Sequence, residues 1–402
     1  MRPIGGISLS EPKKQNYLHG AAILAAGVVI MKILGFIYKV PLGNILGDEG
    51  YTHFLVAYNI YSVFLTVATA GLPVALSRMI SEANTMNRPN QVKRIFSVAW
   101  LTFLVLGVVC TLVMFLFPTE LADSLNDVEA SQSILALSPA VLLVCLTSAY
   151  RGYCQGHENM KPTTVGQVLE VLVKVVVGLV LAWYLRDLGR SLPLVSAGAI
   201  FGVTAGSLAA LVYMFAYKRR CYSALPAGND VPESGARILS TLLKVGIPIT
   251  LGSSVLSLIN LVDSGLCMGR LQDAAGFSYA DAKVLYGVYG KAQTLYNLPA
   301  AFITPLTISV VPAIAACRVT HRGRESSRIA ENSLRIATVI ALPMGVGLSV
   351  LSYPIMTVIY PGSHESGPEL LMLMGAASFF VCMALMMLSL IHISEPTRPI
   401  SI

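Results

Sequence analysis

Residues 18–46 read LHGAAILAAGVVIMKILGFIYKVPLGNIL, an apolar stretch long enough to cross a membrane that nevertheless contains Lys32 and Lys39. A cation at the centre of a bilayer costs about 2.5 to 3.5 kcal/mol on insertion scales, so such residues usually face a partner or a water-filled cavity. Two more lysines, Lys174 and Lys291, lie in later apolar stretches. The pattern predicts an integral membrane protein with a pathway for anions.

The composition supports a membrane protein. Of 402 residues, 55% are hydrophobic and 12% are charged, whereas a soluble domain has about 25% charged residues. We predict an all-α polytopic fold whose ten spans cover residues 18–46, 54–80, 95–117, 134–152, 162–185, 192–217, 239–268, 285–315, 334–359 and 370–393. Pro299, Pro305 and Pro312 fall in the eighth span and predict a bent or broken helix there, because each lacks a backbone donor.

The charges of the connections alternate from one side of the predicted membrane to the other. Basic connections contain Arg2, Lys13, Lys14, Arg88, Lys93, Arg94, Lys161, Lys218, Arg219, Arg220, Arg237, Arg318, Arg322, Arg324 and Arg328. The intervening connections contain the acids Asp48, Glu49, Glu120, Asp123, Asp127, Glu129 and Glu365, with His364, and their only cations are Arg186, Arg190, Arg270 and Lys283. The positive-inside rule therefore places the N-terminus in the cytoplasm. It also accounts for the net charge of +7 without a nucleic-acid partner.

Several kinds of chemistry have no sequence support. The seven cysteines are scattered and show no metal-ligand spacing, so we predict no metal site and no cofactor. No segment resembles a phosphate-binding loop, so we expect a transporter that does not hydrolyse ATP rather than an enzyme. An ion gradient or the membrane potential is then the expected drive, and the sequence does not identify a coupling ion.

A weak internal repeat organises the chain into two lobes. The segment LPVALSR (72–78) closes span two and VPAIAACR (311–318) closes span eight, each after a Tyr-rich entry and before a basic connection. Such repeats are typical of transporters with a substrate site between two similar lobes. The predicted parts are a cytoplasmic N-terminus (1–17), a six-helix lobe (18–217), a linker (218–237), an incomplete four-helix lobe (238–391) and a non-native tail (392–402). We therefore expect a truncated second lobe.

The buried lysines are the predicted substrate contacts. Lys32 and Lys39 are seven residues apart and therefore share one helix face. Lys32 is too central to reach an interface, whereas Lys39 either lines the cavity or extends to the membrane surface. With Lys291 from the second lobe they are predicted to bind a diphosphate through charge-assisted hydrogen bonds.

The predicted gating or coupling residues have structural alternatives. Glu170 and Lys174 have the spacing of an intrahelical ion pair, which is either structural or opened by a ligand. Asp263 either serves coupling or balances Lys291. Arg78 is either a topology anchor or a cytoplasmic gate between the lobes.

Two residues just before Arg78 form a predicted hinge. Gly71 allows backbone freedom and Pro73 removes a helix hydrogen bond. We expect the second span to bend at these positions.

Five motifs resemble a known group of membrane proteins. They are ILGFIY (33–38), AGLPVALSR (70–78), RGYCQG (151–156), MKPT (160–163) and QVLE (167–170). The chain resembles the polysaccharide-biosynthesis membrane proteins of the stage V sporulation protein B and YtgP type from about residue 18 to residue 390. That group is related to MurJ-type lipid II flippases of the multidrug/oligosaccharidyl-lipid/polysaccharide exporter superfamily.

The resemblance implies a two-lobe flippase in the bacterial plasma membrane. It would move an undecaprenyl-diphosphate-linked sugar from the cytoplasmic to the outer leaflet by alternating access, with membrane lipid and cell-wall synthesis proteins as partners. Members commonly have 14 spans, more than this sequence shows. The family's cationic cavity maps to Lys32, where MurJ-type sequences have an arginine. Tyr38 occupies the next cationic position, with Lys39 adjacent.

Three functional hypotheses follow. The first is a flippase for a lipid II-like cell-wall or polysaccharide precursor. The second is an ion-coupled multidrug or organic-cation antiporter, which would need an unpaired acidic residue deep in one lobe. The third is a membrane glycosyltransferase or a scaffold, although the short connections leave little room for an enzyme site.

Overall fold

The computed structural model describes residues 17–222, 228–319 and 323–394, and these residues contain no β-strand. The α-helices are α1 (Tyr17–Thr69), α2 (Gly71–Thr85), α3 (Pro89–Leu116), α4 (Pro118–Asp123), α5 (Ser131–Gly156), α6 (Lys161–Asp187), α7 (Leu192–Tyr222), α8 (Gly235–Asp273), α9 (Tyr279–Tyr296), α10 (Leu298–Val319), α11 (Gly323–Val350), α12 (Ser352–Ile359) and α13 (Gly367–Ser394). A 3-10 helix, Val128–Ala130, precedes α5. The all-α prediction is confirmed.

Eight helical stretches of the described chain are long and apolar enough to cross a membrane. The first, Ala26–Thr85, contains two of the predicted spans, and the broken segment α9–α10 is not among the eight. All ten predicted spans fall on helices, and their number stays a prediction.

The predicted boundaries shift at the linker and the tail. α7 and α8 extend into the predicted linker from both sides, and α13 continues through residue 394. The predicted N-terminal segment up to residue 16, linker residues 223–227 and tail residues 395–402 lie outside the described residues.

Three backbone breaks shape the helices that carry the predicted site. At Gly47, α1 changes direction with φ 71° and ψ −168°, a conformation that favours glycine. A second break, at Ala70, separates α1 from α2, which has Pro73 in its first turn. A third, at Asn297, separates α9 from α10. The broken eighth span was predicted from its prolines and is confirmed.

The two broken spans refine the internal repeat. One break is followed by Leu72-Pro73 and the other by Leu298-Pro299. Since proline is tolerated in the first turn of a helix, both pairs start a new helix after a break. The helix breaks therefore match Pro73 with Pro299, whereas the order of sequence landmarks matches it with Pro312.

The chain packs as an N-terminal half (17–222) and a C-terminal half (228–394) that meet mainly through α1 and α2 against α8 and α9. At one end of this seam, a Cβ on Gly71 would lie 1.9 Å from the carbonyl oxygen of Gly246. At the other end, a Cβ on Gly287 would lie 1.9 Å from that of Asp48. Small residues thus allow the backbones of the two halves to touch, as is common between membrane helices.

The two ends of the bundle differ in charge. We call the end with Asp48, Glu49, Asp127 and Glu129 the acidic end, and the end with Arg88, Lys93, Arg94, Lys161, Arg219 and Arg220 the basic end. Contacts hold the residues of each end together. At the acidic end Lys283 pairs with both Glu49 and Glu129, and at the basic end the side chain of Asn84 donates to the carbonyl oxygen of Gly156.

Candidate functional site

A cavity of about 290 Å³ brings three of the predicted lysines together. Its lining residues are Val28, Met31, Lys32, Gly35, Tyr38, Lys39, Tyr58, Val171 and Lys174. The helix-face argument for Lys32 and Lys39 is therefore confirmed, and Lys174 on α6 faces the same space. Within the described residues, none of these three ammonium groups forms an ion pair with a carboxylate.

Two tyrosines hold Lys174 in this cavity. Its Nζ lies 5.1 Å from the ring centroid of Tyr38 and 5.0 Å from that of Tyr58, within the range of cation–π attraction. The hydroxyl of Tyr38 donates to the carbonyl oxygen of Ala199 at 3.0 Å, which fixes its ring. The cavity therefore combines three cations with π faces rather than with acidic side chains.

Glu170 is not the partner of Lys174, which corrects the predicted intrahelical pair. Its carboxylate accepts a hydrogen bond from Arg151 on α5, at 2.5 Å, and another from Ser207 on α7, at 3.2 Å. Arg151 and Glu170 are both largely buried. Since Arg151 neutralises Glu170, Lys174 keeps its charge available to the cavity.

Lys291 lies outside the cavity and is already paired. Its Nζ donates to Oδ1 of Asp48 at 2.6 Å and lies 5.3 Å from the ring centroid of Tyr360. Asp48 also accepts hydrogen bonds from the hydroxyl of Ser363 and the backbone N–H of His364, each at 2.9 Å. Lys291 therefore lies apart from Lys32 and Lys39, the other predicted diphosphate ligands, and has a carboxylate partner of its own.

Asp263 does not balance Lys291, which corrects the second predicted pair. It is exposed on α8 and accepts a hydrogen bond of 3.4 Å from the hydroxyl of Tyr289. The predicted coupling role of Asp263 stays a prediction.

Arg78, Gly71 and Pro73 lie together on α2. The side chain of Arg78 is 68% exposed and its guanidinium pairs with Glu82 of the same helix at 2.8 Å, so it does not bridge the halves here. The backbone N–H of Gly71 donates to Oγ1 of Thr250 on α8 at 3.2 Å. The predicted hinge thus coincides with a helix break and a contact between the halves, and its motion stays a prediction.

A second charged constellation, which the sequence predictions missed, joins the halves at the acidic end. Lys283 donates to Oε1 of Glu49 and to Oε2 of Glu129, each at 2.7 Å. The buried His53 places Nδ1 2.7 Å from Oδ2 of Asp127 and Nε2 3.3 Å from Oε2 of Glu129.

The ion pair between Lys283 and Glu129 favours the charged form of both groups. The hydrogen bond from Lys283 holds the pKa of Glu129 below its ordinary value. Burial lowers the pKa of Lys283, but its hydrogen bonds to Glu129 and Glu49 outweigh burial and raise it to about 12. Glu49, His53 and Glu129 are close enough to hold a metal ion, but the ammonium of Lys283 occupies the position between the two carboxylates.

Some of the missed residues carried a recognisable signal. Arg151 falls inside the predicted fourth span, so it is an intramembrane cation like the lysines. Asp48, Glu49 and Asp127 read as loop acids, and their partners are far away in the sequence. The packing of α9 against α1 reveals the pairs of Asp48 and Glu49, and the packing of the connection before α5 against α1 reveals the pair of Asp127.

The fold resembles that of multidrug resistance transporters of the MATE family of the MOP superfamily. An inward-facing structure of such a transporter superposes with a TM-score of 0.67 at 16% identity, covering 92% of this chain and 87% of that one. An outward-facing structure gives 0.60 at 16% identity, covering 98% and 88%. The fold and the relatives below define an integral membrane transporter or flippase.

The family follows from the sequence. Residues 17–317 match the family described as "Polysaccharide biosynthesis protein", and the chain belongs to this family. It is 28% identical over 376 residues to stage V sporulation protein B of Bacillus subtilis (strain 168), covering 92% of this chain and 70% of that protein. It is 25% identical over 368 residues to the lipid II flippase MurJ of the same organism, covering 88% and 67%.

Proposed function

We propose that this protein is a flippase that moves a lipid-linked sugar diphosphate, such as a lipid II-like precursor, across the bacterial plasma membrane. The observation that supports this most is the cavity in which Lys32, Lys39 and Lys174 form no ion pair with any carboxylate of the described chain. A diphosphate would supply the missing anions and accept charge-assisted hydrogen bonds. The similarity to the lipid II flippase MurJ supports the same substrate class.

The size of the cavity fits only part of such a lipid. Small-molecule sites commonly have volumes of about 300–1,000 Å³, and this one has about 290 Å³. We infer that it holds the diphosphate while the sugar extends into the space between the halves and the prenyl tail stays in lipid. Lys291 would join this site only after its ion pair with Asp48 opens.

The two halves act as the lobes of this transporter, with the basic end in the cytoplasm. The positive-inside rule supports this orientation. The three ion pairs between the halves, within the described residues, lie at the acidic end, and Arg78 pairs within its own helix. These ion pairs fit a state in which the halves are held together at the outer side, which is one of the two states that alternating access requires. A cationic cavity could also be reset by the membrane potential.

An organic-cation antiporter of the same superfamily has less support. It would need an unpaired acidic residue deep in one lobe, whereas Glu170 pairs with Arg151 and Asp263 is exposed on α8, outside the residues that line the cavity.

Complementation tests the proposal. The protein is expressed in bacteria depleted of their own lipid II flippase, beside the variant K32A/K39A and the control Lys161→Ala, an exposed lysine at the basic end. We expect growth with the unchanged protein and the control, and no growth with K32A/K39A at equal membrane levels. Growth with K32A/K39A would overturn the proposal, as would transport of organic cations without transport of lipid-linked sugar.

A further inference from the structure

The acidic-end constellation is a contact between the two halves. Lys283 and Tyr279 come from α9, whereas Glu49, His53, Asp127 and Glu129 come from the N-terminal half. Besides the two ion pairs of Lys283, the hydroxyl of Tyr279 donates to Oδ1 of Asp127 at 3.2 Å. Separation of the halves at this end must break all three contacts.

His53 has one nitrogen in use and one without a partner. Asp127 can only accept, so Nδ1, 2.7 Å away, carries a hydrogen. Nε2 has no hydrogen-bond partner among the described residues, although Oε2 of Glu129 is 3.3 Å from it. His53 and Asp127 are both 0% exposed. A neutral ring therefore turns a lone pair toward a carboxylate oxygen, whereas a protonated ring would donate to it.

The oxygen that faces Nε2 is the one that Lys283 uses. Oε2 of Glu129 accepts from Nζ of Lys283 at 2.7 Å. We propose that His53 is a proton-binding site, and that a proton on Nε2 competes with Lys283 for Oε2 of Glu129 and so loosens the contact between the halves. This inference rests on the two-lobe, alternating-access part of the proposed function and not on its substrate.

The charges around His53 decide the direction of this coupling. The titratable groups that face it are Glu49 on α1, Asp127 and Glu129 on the connection before α5, and Tyr279 and Lys283 on α9. When the halves separate, the three carboxylates stay with His53 and the ammonium leaves. The separated state therefore binds the proton more tightly, and by linkage the proton favours separation.

The test measures opening of the acidic end directly. Leu55 packs so closely on α9 that a Cβ at Gly290 would lie 2.0 Å from its Cδ1. In a background whose native cysteines are replaced by alanine, Leu55→Cys reports separation through its labelling by a membrane-impermeant maleimide. Labelling is compared in intact cells at about pH 5.5 and about pH 7.5, which bracket the range where histidine changes charge. The exposed Glu365→Cys corrects for the pH dependence of the thiol reaction.

We expect corrected labelling of the buried reporter to rise by about fivefold or more at the lower pH, a typical coupling between two sites. His53→Gln should abolish this pH dependence. His364→Gln, a change of an exposed histidine at the same end, should keep it. Glu129→Gln removes the charge that His53 and Lys283 share and should give high labelling at both pH values. This variant tests the proposal independently if His53→Gln does not fold.

Three results would overturn the proposal: labelling independent of pH, labelling that falls at low pH, or an unchanged pH response in His53→Gln. The assay needs no substrate, so these results leave the diphosphate site untouched. If Glu365→Cys is unlabelled in intact cells, the proposed orientation is wrong instead. The same comparison in inside-out vesicles then decides the role of His53.

Discussion

The lysines of the cavity and the lysines of the acidic end differ in their partners. Lys283 and Lys291 are the more deeply buried, at 4% and 2% exposure, and each has carboxylates within 2.7 Å. Lys32 is exposed and Lys39 is half-buried, and neither forms an ion pair among the described residues. Burial alone therefore does not identify a ligand-binding cation. The difference lies in the carboxylate partner: a lysine that joins the two halves has one within the protein, whereas a lysine that binds a ligand is without one until the ligand arrives.

The largest effect should come from breaking the buried pair of Lys291. Asp48→Asn leaves Lys291 buried without a counter-charge, which typically costs about 3–5 kcal/mol. We expect a large loss of thermal stability in detergent, and substantial recovery in the double variant with Lys291→Met. Equal stability of Asp48→Asn and the unchanged protein would remove the distinction between the two groups of lysines.

Neutralising the cavity lysines should weaken ligand binding and leave the stability of the protein unchanged. Each of Lys32→Met and Lys39→Met removes one hydrogen bond from a charged donor, worth about 1.5–3 kcal/mol, or roughly 10- to 150-fold in affinity. Binding of pyrophosphate and of a prenyl diphosphate is measured by calorimetry, and folding by thermal unfolding. We expect weaker binding with unchanged stability. A loss of stability without weaker binding would assign these lysines a structural role.

The revised pairing of Glu170 predicts a smaller effect. Glu170→Gln leaves Arg151 without its anion and should destabilise the protein by about 1–3 kcal/mol. Lys174→Met should leave stability nearly unchanged, because Lys174 has aromatic rather than acidic neighbours. Equal destabilisation by both variants would restore the pair predicted from the spacing of the two residues.

The last effect, of similar size, concerns the glycine contact near the basic end. Gly71→Ala introduces a methyl group 1.9 Å from the carbonyl oxygen of Gly246, so α2 and α8 must move apart at a cost of about 1–3 kcal/mol. The matched control is Gly347→Ala on α11, where a Cβ meets nothing within 4 Å. Thermal unfolding of the two variants compares them. Equal stabilities would mean that the seam tolerates separation at this end.

The fold was predictable because hydrophobic length and proline position act locally. Apolar runs predicted the helical segments, and the three prolines of the eighth span predicted a break within it. The shared face of Lys32 and Lys39 followed from the helical period alone. These features need no knowledge of which helix packs against which.

The ion pairs were not predictable, because each joins residues far apart in the chain. Lys291 and Asp48 are 243 positions apart, and Lys283 and Glu129 are 154 apart. Spacing rules favoured Lys174 as the partner of Glu170, but Arg151 on the adjacent helix offers a fork of donors that fits a carboxylate better. Local rules fail where a tertiary neighbour has the better geometry.

The turn at Gly47 has a mechanical consequence. The two helical segments of α1 join directly at this kink, with Lys39 on one side of it and His53 on the other. A movement of α1 that separates the two halves at the acidic end would therefore also shift the cavity lysines, which lie on the other side of Gly47. Binding of an anion in the cavity and opening of the contacts at the acidic end would then be two parts of one movement.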